Sequence, residues 1–400
     1  MHILLVRSGP IGGGGISRVI ESWTRVLCGG GHRVTAISAN TGQQRSLPPI
    51  GGLRPVLYPE PATLSRPKRL YRRIRNACDT AARVHHEDPA GLLISHNSQI
   101  SIFLRRTIPG VPLLQTFHSP QVDENRLKNW KYANRALRKA TYPLSWAASW
   151  ASDRLALGSI DCAHTLSRYT WTRLKTMYPG PCGRVPWEMI PGSYDSVLFR
   201  PSQDRAELRR RLGLDQTQTV LLTVRRLVPR NGVDRILDCA ARLRGKYPGL
   251  KFLVGGTGEL KDSLRRRVER EDLAGLVTLL GFIPDDVLSA YYQAADAFLL
   301  PTRDLECFGL PVIEAMGCGL TPLILPDGGP PEICASHPQC IARSATDEGF
   351  FEIVVDFLEG RIPSPMDGLA GYARENYSET ALAPSILRTV ERLARSRDTS

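Results

Sequence analysis

The stretch that most limits the possible folds runs from residue 297 to residue 319, where a short apolar run, a loop and a second apolar segment follow one another. Residues 297–301 read A-F-L-L-P, which is typical of a parallel strand that is buried on both faces and ended by proline. Glu306 is predicted in the loop. A helix is predicted after Pro311, over V-I-E-A-M-G, with Glu314 in its first turn.

The predicted start of this helix has the features of a ligand site. The backbone N–H groups of Phe308, Gly309 and Leu310 lie at its amino end, where unpaired donors and the helix dipole favour an anion. Glu306 and Glu314 add two carboxylates near the same point. An anion-binding helix end beside two carboxylates would suit a ligand that carries both phosphates and hydroxyl groups, such as a nucleotide sugar. The alternative is that both glutamates are solvated surface groups.

The amino-terminal segment predicts a doubly wound α/β domain. Residues 3–6 form an apolar strand, a glycine-rich loop turns into a helix that continues to Leu27, and a second strand follows. Gly14 and Gly15 belong to a run of glycines at 12–15, which lets the backbone approach a ligand closely. A plain tight turn is the alternative. A dinucleotide site is disfavoured, because no acidic residue closes the second strand.

The segment E-C-F-G-L-P-V-I-E-A-M from Glu306 resembles the E-x7-E signature of retaining glycosyltransferase family 4. I-P-G-S-Y-D-S-V-L-F-R-P, from Ile190, is similar to the interdomain linker of that family. The resemblance implies the GT-B fold, in which two Rossmann-like doubly wound parallel-sheet domains face an interdomain cleft. The expected domains are an acceptor-binding domain over 1–191, a nucleotide-sugar-binding domain over 192–370, and a carboxyl-terminal helix over 371–400 that crosses back to the first domain.

The loop after the strand at 220–224 reads R-R-L-V-P-R-N-G and resembles the family pattern G-R-L-x-x-x-K-G. The resemblance implies that Arg226 grips the diphosphate that leaves, a task for which a bidentate guanidinium group is well suited. This chain departs from the pattern at Asn231, where the family has lysine. Arg230, one residue earlier, is the candidate substitute. A solvated basic loop is the alternative interpretation.

The remaining site residues also follow from the resemblance. It implies that Glu314 holds the ribose hydroxyls and that Glu306 and His118 contact the transferred sugar. His118 directly follows a predicted strand over 113–117, and ligands bind beyond such strand ends. Arg226, His118 and Glu306 are thus the expected catalytic residues. The other expected donor-binding positions are Gly14, Gly15, Arg230, Asn231, Ile283, Phe308, Gly309, Leu310 and Glu314.

Charge is divided unevenly along the chain. Residues 1–200 contain 27 Lys and Arg against 11 Asp and Glu, a net +16, whereas residues 201–400 contain 25 against 28, a net −3. Such asymmetry favours an anionic partner for the first half: a membrane surface, a phosphorylated lipid or nucleic acid. Nucleic acid is disfavoured, because basic and aromatic residues do not alternate as in a known binding module.

A basic segment over residues 126–157 is predicted to be an amphipathic helix. Lys128, Lys131, Arg135 and Arg138 recur every three or four residues and share one face, while leucine and tryptophan side chains fall on another. A basic helix with tryptophan is typical of contact with an anionic membrane surface. A solvated face over ordinary core packing is the alternative.

Apolar runs, cysteines and histidines indicate the cellular compartment and whether a metal is bound. The sequence has no apolar run of eighteen residues and no secretory signal, so a cytoplasmic protein is expected. The basic first half favours peripheral contact with the inner face of the cell membrane as one option. Nine cysteines include no C-x-x-C pair, and the eight histidines form no ligand pair. Free thiols are expected, with no metal and no cofactor.

The predicted function is a metal-independent retaining glycosyltransferase that uses a UDP-sugar or GDP-sugar. A lipid-linked or saccharide acceptor is favoured, as in envelope polysaccharide or glycolipid synthesis. A soluble acceptor, such as a natural product or an aminocyclitol, is one alternative. Two other classes stay open: an NAD-dependent oxidoreductase and a non-catalytic nucleic-acid binder.

Overall fold

The computed structural model describes residues 1–11, 14–40, 49–60, 66–132, 136–364, 366 and 368–395, with the backbone only for residues 66 and 67. The chain forms two compact units. Unit 1 comprises Met1–Ser193 and the segment that begins at Glu379, and unit 2 comprises Tyr194–Ser378. The first change of unit therefore lies two residues after the predicted boundary at 191–192.

Unit 1 is built on a seven-stranded sheet in which every described pair of neighbours is parallel. The strand order is β3-β2-β1-β4-β5-β6-β7. Apolar runs such as I-L-L-V in β1 are fully buried, as expected for strands with helices on both faces. The strands are β1 His2–Val6, β2 Arg33–Asn40, β3 Leu53–Pro59, β4 Leu92–Ser95, β5 Leu113–Phe117, β6 Cys162–Thr165 and β7 Trp187–Met189.

Eight described helices of unit 1 lie between consecutive strands of its sheet. They are α1 Gly15–Gly29, α2 Arg66–Glu87, α3 Ser98–Thr107, α4 Gln121–Arg126, α5 Ala136–Ala140, α6 Tyr142–Leu157, α7 Arg168–Met177 and α8 Pro179–Cys182, with a π-helical turn over Leu127–Lys131.

The single amphipathic helix predicted over 126–157 is wrong. The segment instead contains the end of α4, the π-helical turn, α5 and α6. Leu127 is buried whereas Trp130 and Leu137 are exposed, so these apolar residues do not share one packed stripe. Arg135, part of the predicted basic face, lies outside the described residues.

Unit 2 contains a five-stranded parallel sheet of order β10-β9-β8-β11-β12. Its strands are β8 Thr219–Val224, β9 Leu250–Gly255, β10 Val277–Gly281, β11 Ala297–Leu300 and β12 Thr321–Ile324. Its helices are α9 Arg205–Arg211, α10 Asp234–Leu243, α11 Lys261–Arg270, α12 Asp285–Ala294, α13 Leu310–Gly317, α14 Pro330–Ile333, α15 Asp347–Leu358 and α16 Leu369–Tyr377, with 3-10 turns over Pro229–Asn231 and Pro338–Cys340. Both sheets are doubly wound, which confirms the predicted fold class.

The carboxyl-terminal segment divides between the units. α16 belongs to unit 2, and α17 (Glu379–Arg395) belongs to unit 1, so the part of the expected crossing helix from 371 to 377 lies in unit 2. The helix is interrupted because Ser378 is extended, with φ −68° and ψ 155°. In unit 1, Arg25 Nε donates to Glu379 Oε2 at 2.9 Å, and Arg392 contacts Glu188 at 2.6 Å.

Two sequence-level expectations concern cysteines and membrane spans. All nine cysteines lie among the described residues and are free thiols, eight of them buried. Among the helices that the structure describes, none combines the length and the apolar character needed to cross a membrane.

Candidate functional site

The second sheet changes its direction of winding between β8 and β11, because the chain first adds β9 and β10 on one side and then β11 on the other. In open α/β sheets, ligands bind beyond the carboxyl ends of the strands at such a switch point. The loops that follow β8 and β11 carry the predicted residues Arg226, Arg230, Asn231 and Glu306. The topology therefore brings these four positions to one edge of the sheet.

The loop after β8 is held in a defined shape by Asn231 and Gly232. Asn231 is buried, and its Nδ2 donates to the Arg226 carbonyl oxygen at 2.7 Å. Gly232 has φ 67°, and a Cβ there would lie 1.9 Å from the carbonyl oxygen of Pro301. Asn231 therefore stabilises the loop that carries Arg226. At this position, where the family has lysine, the side chain forms a hydrogen bond with the backbone of its own loop.

Arg225 forms a buried ion pair across the switch point. Its Nη2 donates to Glu306 Oε2 at 2.7 Å and its Nη1 donates to Thr302 Oγ1 at 2.7 Å. The Arg225 side chain is 6% exposed and the Glu306 side chain 23%. The buried Nε of Arg225 has no partner within the part of the chain that the structure describes. Burial lowers the pKa of Arg225, although Glu306 acts in the opposite direction.

The two arginines predicted to bind diphosphate differ in their surroundings. Arg226 is exposed on the loop surface. Arg230 is half-buried, and its Nη1 lies 3.4 Å from the carbonyl oxygen of Leu305. The carbonyl oxygen of Arg230 accepts hydrogen bonds from the N–H groups of Arg303 and Asp304, at 2.9 and 3.1 Å. Arg230 thus joins the loops after β8 and β11, and Arg226 faces solvent.

The helix after the second loop begins at Leu310, one residue before Pro311. Gly309 is its N-cap with φ 106°, and no side chain of the described residues caps the end. Phe308 and Leu310 are buried, so their side chains pack in the core of unit 2. Glu314 is the fifth residue of the helix and lies in its second turn, which corrects the predicted first-turn position.

Glu314 is buried inside unit 2. It is 4% exposed, and the hydroxyl group of Tyr292 donates to its Oε2 at 3.1 Å. The tyrosine comes from α12, which precedes β11 along the chain. Glu314 is therefore a fixed carboxylate, in contrast to the solvated surface group that the sequence left as an alternative.

Ile283 lies beyond β10, at the same carboxyl edge of the sheet. Its side chain is buried and packs over Gly255 at the end of β9, where an added Cβ would lie 2.4 Å from Ile283 Cδ1. The preceding Phe282 is 62% exposed. Ile283 therefore offers only its backbone to a ligand.

In unit 1, the corresponding switch point lies between β1 and β4. Gly14 is the N-cap of α1 with φ 80°, a conformation that glycine adopts without strain, and Gly15 is the first residue of the helix. Gly12 and Gly13 of the predicted glycine run lie outside the described residues. His118 follows β5, and its Nε2 lies 3.0 Å from Nδ1 of His96.

Sequence reasoning missed three residues of these two sites. It placed Arg225 in a basic cluster without a role, although its guanidinium, and not that of Arg226, contacts Glu306. It did not consider Tyr292 or His96. For His96 a signal existed, because it follows a short apolar strand as His118 does. Tyr292 gave no such signal, since it is one of two adjacent tyrosines in a helix.

Comparison with known proteins identifies families for both units. The glycosyl transferase 4-like domain family matches residues 14–191, and the glycosyl transferases group 1 family matches residues 204–367. The first match falls in unit 1 and the second in unit 2. Neither an oxidoreductase nor a nucleic-acid binder is supported by these matches.

Two curated relatives are similar over part of their length. A GDP-mannose-dependent monoacylated alpha-(1-6)-phosphatidylinositol monomannoside mannosyltransferase of Corynebacterium glutamicum is 27% identical over 223 residues, 54% of this chain and 57% of the relative. A GDP-mannose-dependent alpha-(1-6)-phosphatidylinositol monomannoside mannosyltransferase of Mycolicibacterium smegmatis is 32% identical over 227 residues, 54% of this chain and 58% of the relative. The chain thus spans little more than half the length of these relatives.

A solved structure supports the fold. Sucrose-phosphate synthase from Thermosynechococcus elongatus aligns with a TM-score of 0.83 over 99% of each chain, at 18% sequence identity. Similarity at this identity shows the fold alone. The fold is of the GT-B type, as the sequence predicted.

Proposed function

We propose that this chain, which belongs to glycosyltransferase family 4, transfers a hexose from a nucleoside diphosphate sugar to a lipid-linked or saccharide acceptor. The observation that carries the proposal is the switch point of the second sheet, where three arginines of one loop lie at the same edge as Glu306 of the next. A diphosphate needs cationic donors, a sugar needs carboxylate acceptors for its hydroxyl groups, and this edge offers both.

The diphosphate is bound by Arg226 and Arg230 together with the first backbone N–H groups of α13. Three observations support this: Arg226 is exposed, Arg230 contacts the second loop, and no side chain in the described part of the chain caps α13. Charge grows on the diphosphate as its bond to the sugar breaks. Donors fixed in advance therefore bind the transition state more strongly than the bound substrate. In this proposal the arginines do the work of a metal ion.

The carboxylates hold the hydroxyl groups of the donor. Glu306 uses Oε1 for a hydroxyl of the transferred sugar, while Arg225 holds Oε2 and fixes the orientation of the carboxylate. Glu314, oriented by Tyr292, accepts hydrogen bonds from the ribose hydroxyls. His118 lies at the switch point of unit 1 and is proposed to donate a hydrogen bond to a sugar hydroxyl group.

Transfer proceeds with retention at the anomeric carbon. The bond from this carbon to the diphosphate oxygen breaks, and the bond to the acceptor oxygen forms on the same face of the sugar. The proton of the acceptor hydroxyl passes to the departing diphosphate oxygen. This route requires no side chain to act as a general base, so the charge on the diphosphate has to be controlled by the arginines.

The first test is a thermal-shift panel of GDP, UDP, ADP and their common sugar conjugates, with EDTA present. GDP-mannose enters the panel because both curated relatives are named as GDP-mannose-dependent. A nucleotide at about 100 times its dissociation constant stabilises the folded protein by roughly 2.7 kcal/mol. Arg226→Ala should remove most of the shift, whereas Arg266→Ala, at another exposed arginine of unit 2, should not. No response to any nucleotide would contradict the proposal.

We also propose that the segment from 126 to 148 contacts an anionic membrane surface, which would bring the enzyme to a lipid-linked acceptor. No Asp or Glu occurs from residue 125 to residue 152. Large apolar side chains are exposed beside the cations of this segment: Trp130 by 53%, Leu137 by 73% and Leu144 by 78%. Exposed tryptophan and leucine with basic neighbours favour insertion at a lipid headgroup layer.

Binding to vesicles that contain phosphatidylserine tests this surface. Each cation near an anionic bilayer contributes about 1 kcal/mol, so Lys128→Gln, Lys131→Gln and Arg138→Gln together should weaken binding by tenfold or more. A triple variant with the same change in charge on unit 2, K246Q with K261Q and R266Q, is the matched control. Equal binding by both triple variants would identify the basic segment as solvated surface.

A further inference from the structure

Two histidines meet at the switch point of the first sheet. β4 lies beside β1 in the sheet, with Val6 in register with Ser95, and His96 is the next residue after this pair. β5 lies on the other side of β4 and ends just before His118. His96 Nδ1 and His118 Nε2 are 3.0 Å apart, and the rings stack with centroids 5.2 Å apart and planes 21° apart.

Both imidazoles are held neutral by their surroundings. Burial lowers the pKa of His96 well below its ordinary value, and repulsion from a protonated His118 and from Arg7 would oppose its protonation further. Burial also lowers the pKa of His118, to about 3, with His164 and Arg7 as smaller causes. Two neutral imidazoles that face each other through one nitrogen each share a single proton, so one ring donates and the other accepts.

The nitrogen of His96 that faces away from His118, Nε2, indicates which ring donates. Nε2 of His96 is shielded from solvent and has no partner among the residues that the structure describes. A buried N–H group without an acceptor is more costly than a bare lone pair, so the proton of His96 belongs on Nδ1. His96 then donates to His118 Nε2, and the proton of His118 has to be on Nδ1.

We propose that His96 is a positioning residue that fixes the proton of His118 on Nδ1, so that His118 meets its ligand as a neutral hydrogen-bond donor. The ligand chemistry is an oxygen acceptor, such as a sugar hydroxyl oxygen. This deepens the proposed function, on which the identity of the ligand rests. The arrangement of the two protons is a property of the protein alone and does not depend on any activity.

Nuclear magnetic resonance of the full chain, labelled with ¹⁵N at its eight histidines, tests the proposal directly. Long-range ¹⁵N–¹H correlations distinguish the two neutral tautomers of each ring. Two buried histidines outside this pair, His164 and His2, supply internal references. His164 Nε2 donates to the Ile190 carbonyl oxygen at 2.9 Å, and His2 Nδ1 donates to the Asp88 carbonyl oxygen at 2.9 Å.

His96 and His118 should both show the Nδ1–H pattern and differ from His164. In His96→Leu, which keeps an apolar side chain in the packed position, His118 should shift toward Nε2–H, the tautomer that a histidine side chain prefers in water. His118→Leu identifies the signals of His118. An Nε2–H pattern for His118 in the unmodified protein, or an unchanged tautomer in His96→Leu, would overturn the proposal.

A functional measurement then separates positioning from packing. His96→Leu should lower the rate of sugar transfer by about fivefold to tenfold, as expected for the loss of one hydrogen bond, and should leave the affinity for the free nucleoside diphosphate unchanged. Tryptophan fluorescence of the same variant checks that unit 1 is folded. If no transfer activity is found with any donor, the proposed function fails, while the tautomer result stands or falls independently.

Discussion

Replacement of Glu306 should destabilise unit 2 more than replacement of its ion-pair partner. In Glu306→Ala the guanidinium of Arg225, only 6% exposed, loses its carboxylate partner and keeps its hydrogen bond to Thr302. Breaking a buried ion pair from one side costs about 3–5 kcal/mol. Since the Glu306 side chain is 23% exposed and water can enter its place, about 2–4 kcal/mol is expected here.

The two comparison variants should lose less stability. Glu306→Gln keeps a neutral acceptor for the guanidinium group, so a loss of roughly 1–2 kcal/mol is expected. Arg225→Met leaves Glu306 without its partner, but Glu306 is the more exposed group and can be hydrated. Methionine also fills the apolar space of the arginine stem, so the loss should be about 1–2 kcal/mol.

Urea unfolding monitored by two probes separates the units. All six tryptophans precede residue 188 and belong to unit 1, so fluorescence reports on that unit, whereas far-ultraviolet circular dichroism reports on both. Glu306→Ala should lower the urea midpoint of the unit 2 transition, which circular dichroism detects and fluorescence does not. The midpoint of the fluorescence transition of unit 1 should not change. An equal loss of stability in Arg225→Met and Glu306→Ala, or an unchanged circular dichroism transition in Glu306→Ala, would show that the ion pair does not stabilise unit 2 in this way.

Three further predictions concern single side chains. Asp153 is fully buried, and burial raises the pKa of its carboxyl group from 3.8 to about 7. The folded state therefore holds a proton that the unfolded state loses, so the stability of unit 1 should fall as pH rises from 4 to 7, by up to about 1.4 kcal/mol per pH unit. Asp153→Asn should remove this slope in urea titrations followed by fluorescence, and an unchanged slope would assign it to other groups. Asn231→Ala loses the 2.7 Å hydrogen bond to the Arg226 carbonyl oxygen and should weaken nucleotide binding about fivefold by calorimetry, whereas equal affinity would mean that the loop keeps its shape without it. Gly232→Ala combines φ 67° with a clash against the Pro301 carbonyl oxygen and should destabilise unit 2 by 2 kcal/mol or more, as measured by circular dichroism; a loss below about 0.5 kcal/mol would show that the loop shifts freely.

The features that the sequence predicted are those encoded over a few neighbouring residues. A buried parallel strand shows as an unbroken apolar run, which identified β1, β8 and β11. The alternation of strands and helices predicted doubly wound sheets, and ligand-binding loops follow the carboxyl ends of such strands. These rules were sufficient to place Glu306, Arg226 and His118 in loops at sheet edges.

Helix boundaries were predicted less well, because they depend on single residues. The helix with Glu314 begins before Pro311, since proline fits the first turn of a helix and does not have to precede it. The helix break at Ser378 could not be predicted from the sequence, because no proline or glycine lies next to it. In the basic segment, periodicity of charge predicted one continuous helix, whereas the chain forms a π-helical turn and separate helices.

Only the tertiary structure decided which side chains act together. Arg225 and Arg226 are adjacent arginines of one loop, and only the folded chain shows that Arg225 contacts Glu306 whereas Arg226 is exposed. Arg225 and Glu306 are 81 residues apart, and His96 and His118 are 22 apart. Sequence periodicity reports which face of an element is buried, but a hydrogen bond between two elements depends on strand order and register. These are set by the packing of the whole unit.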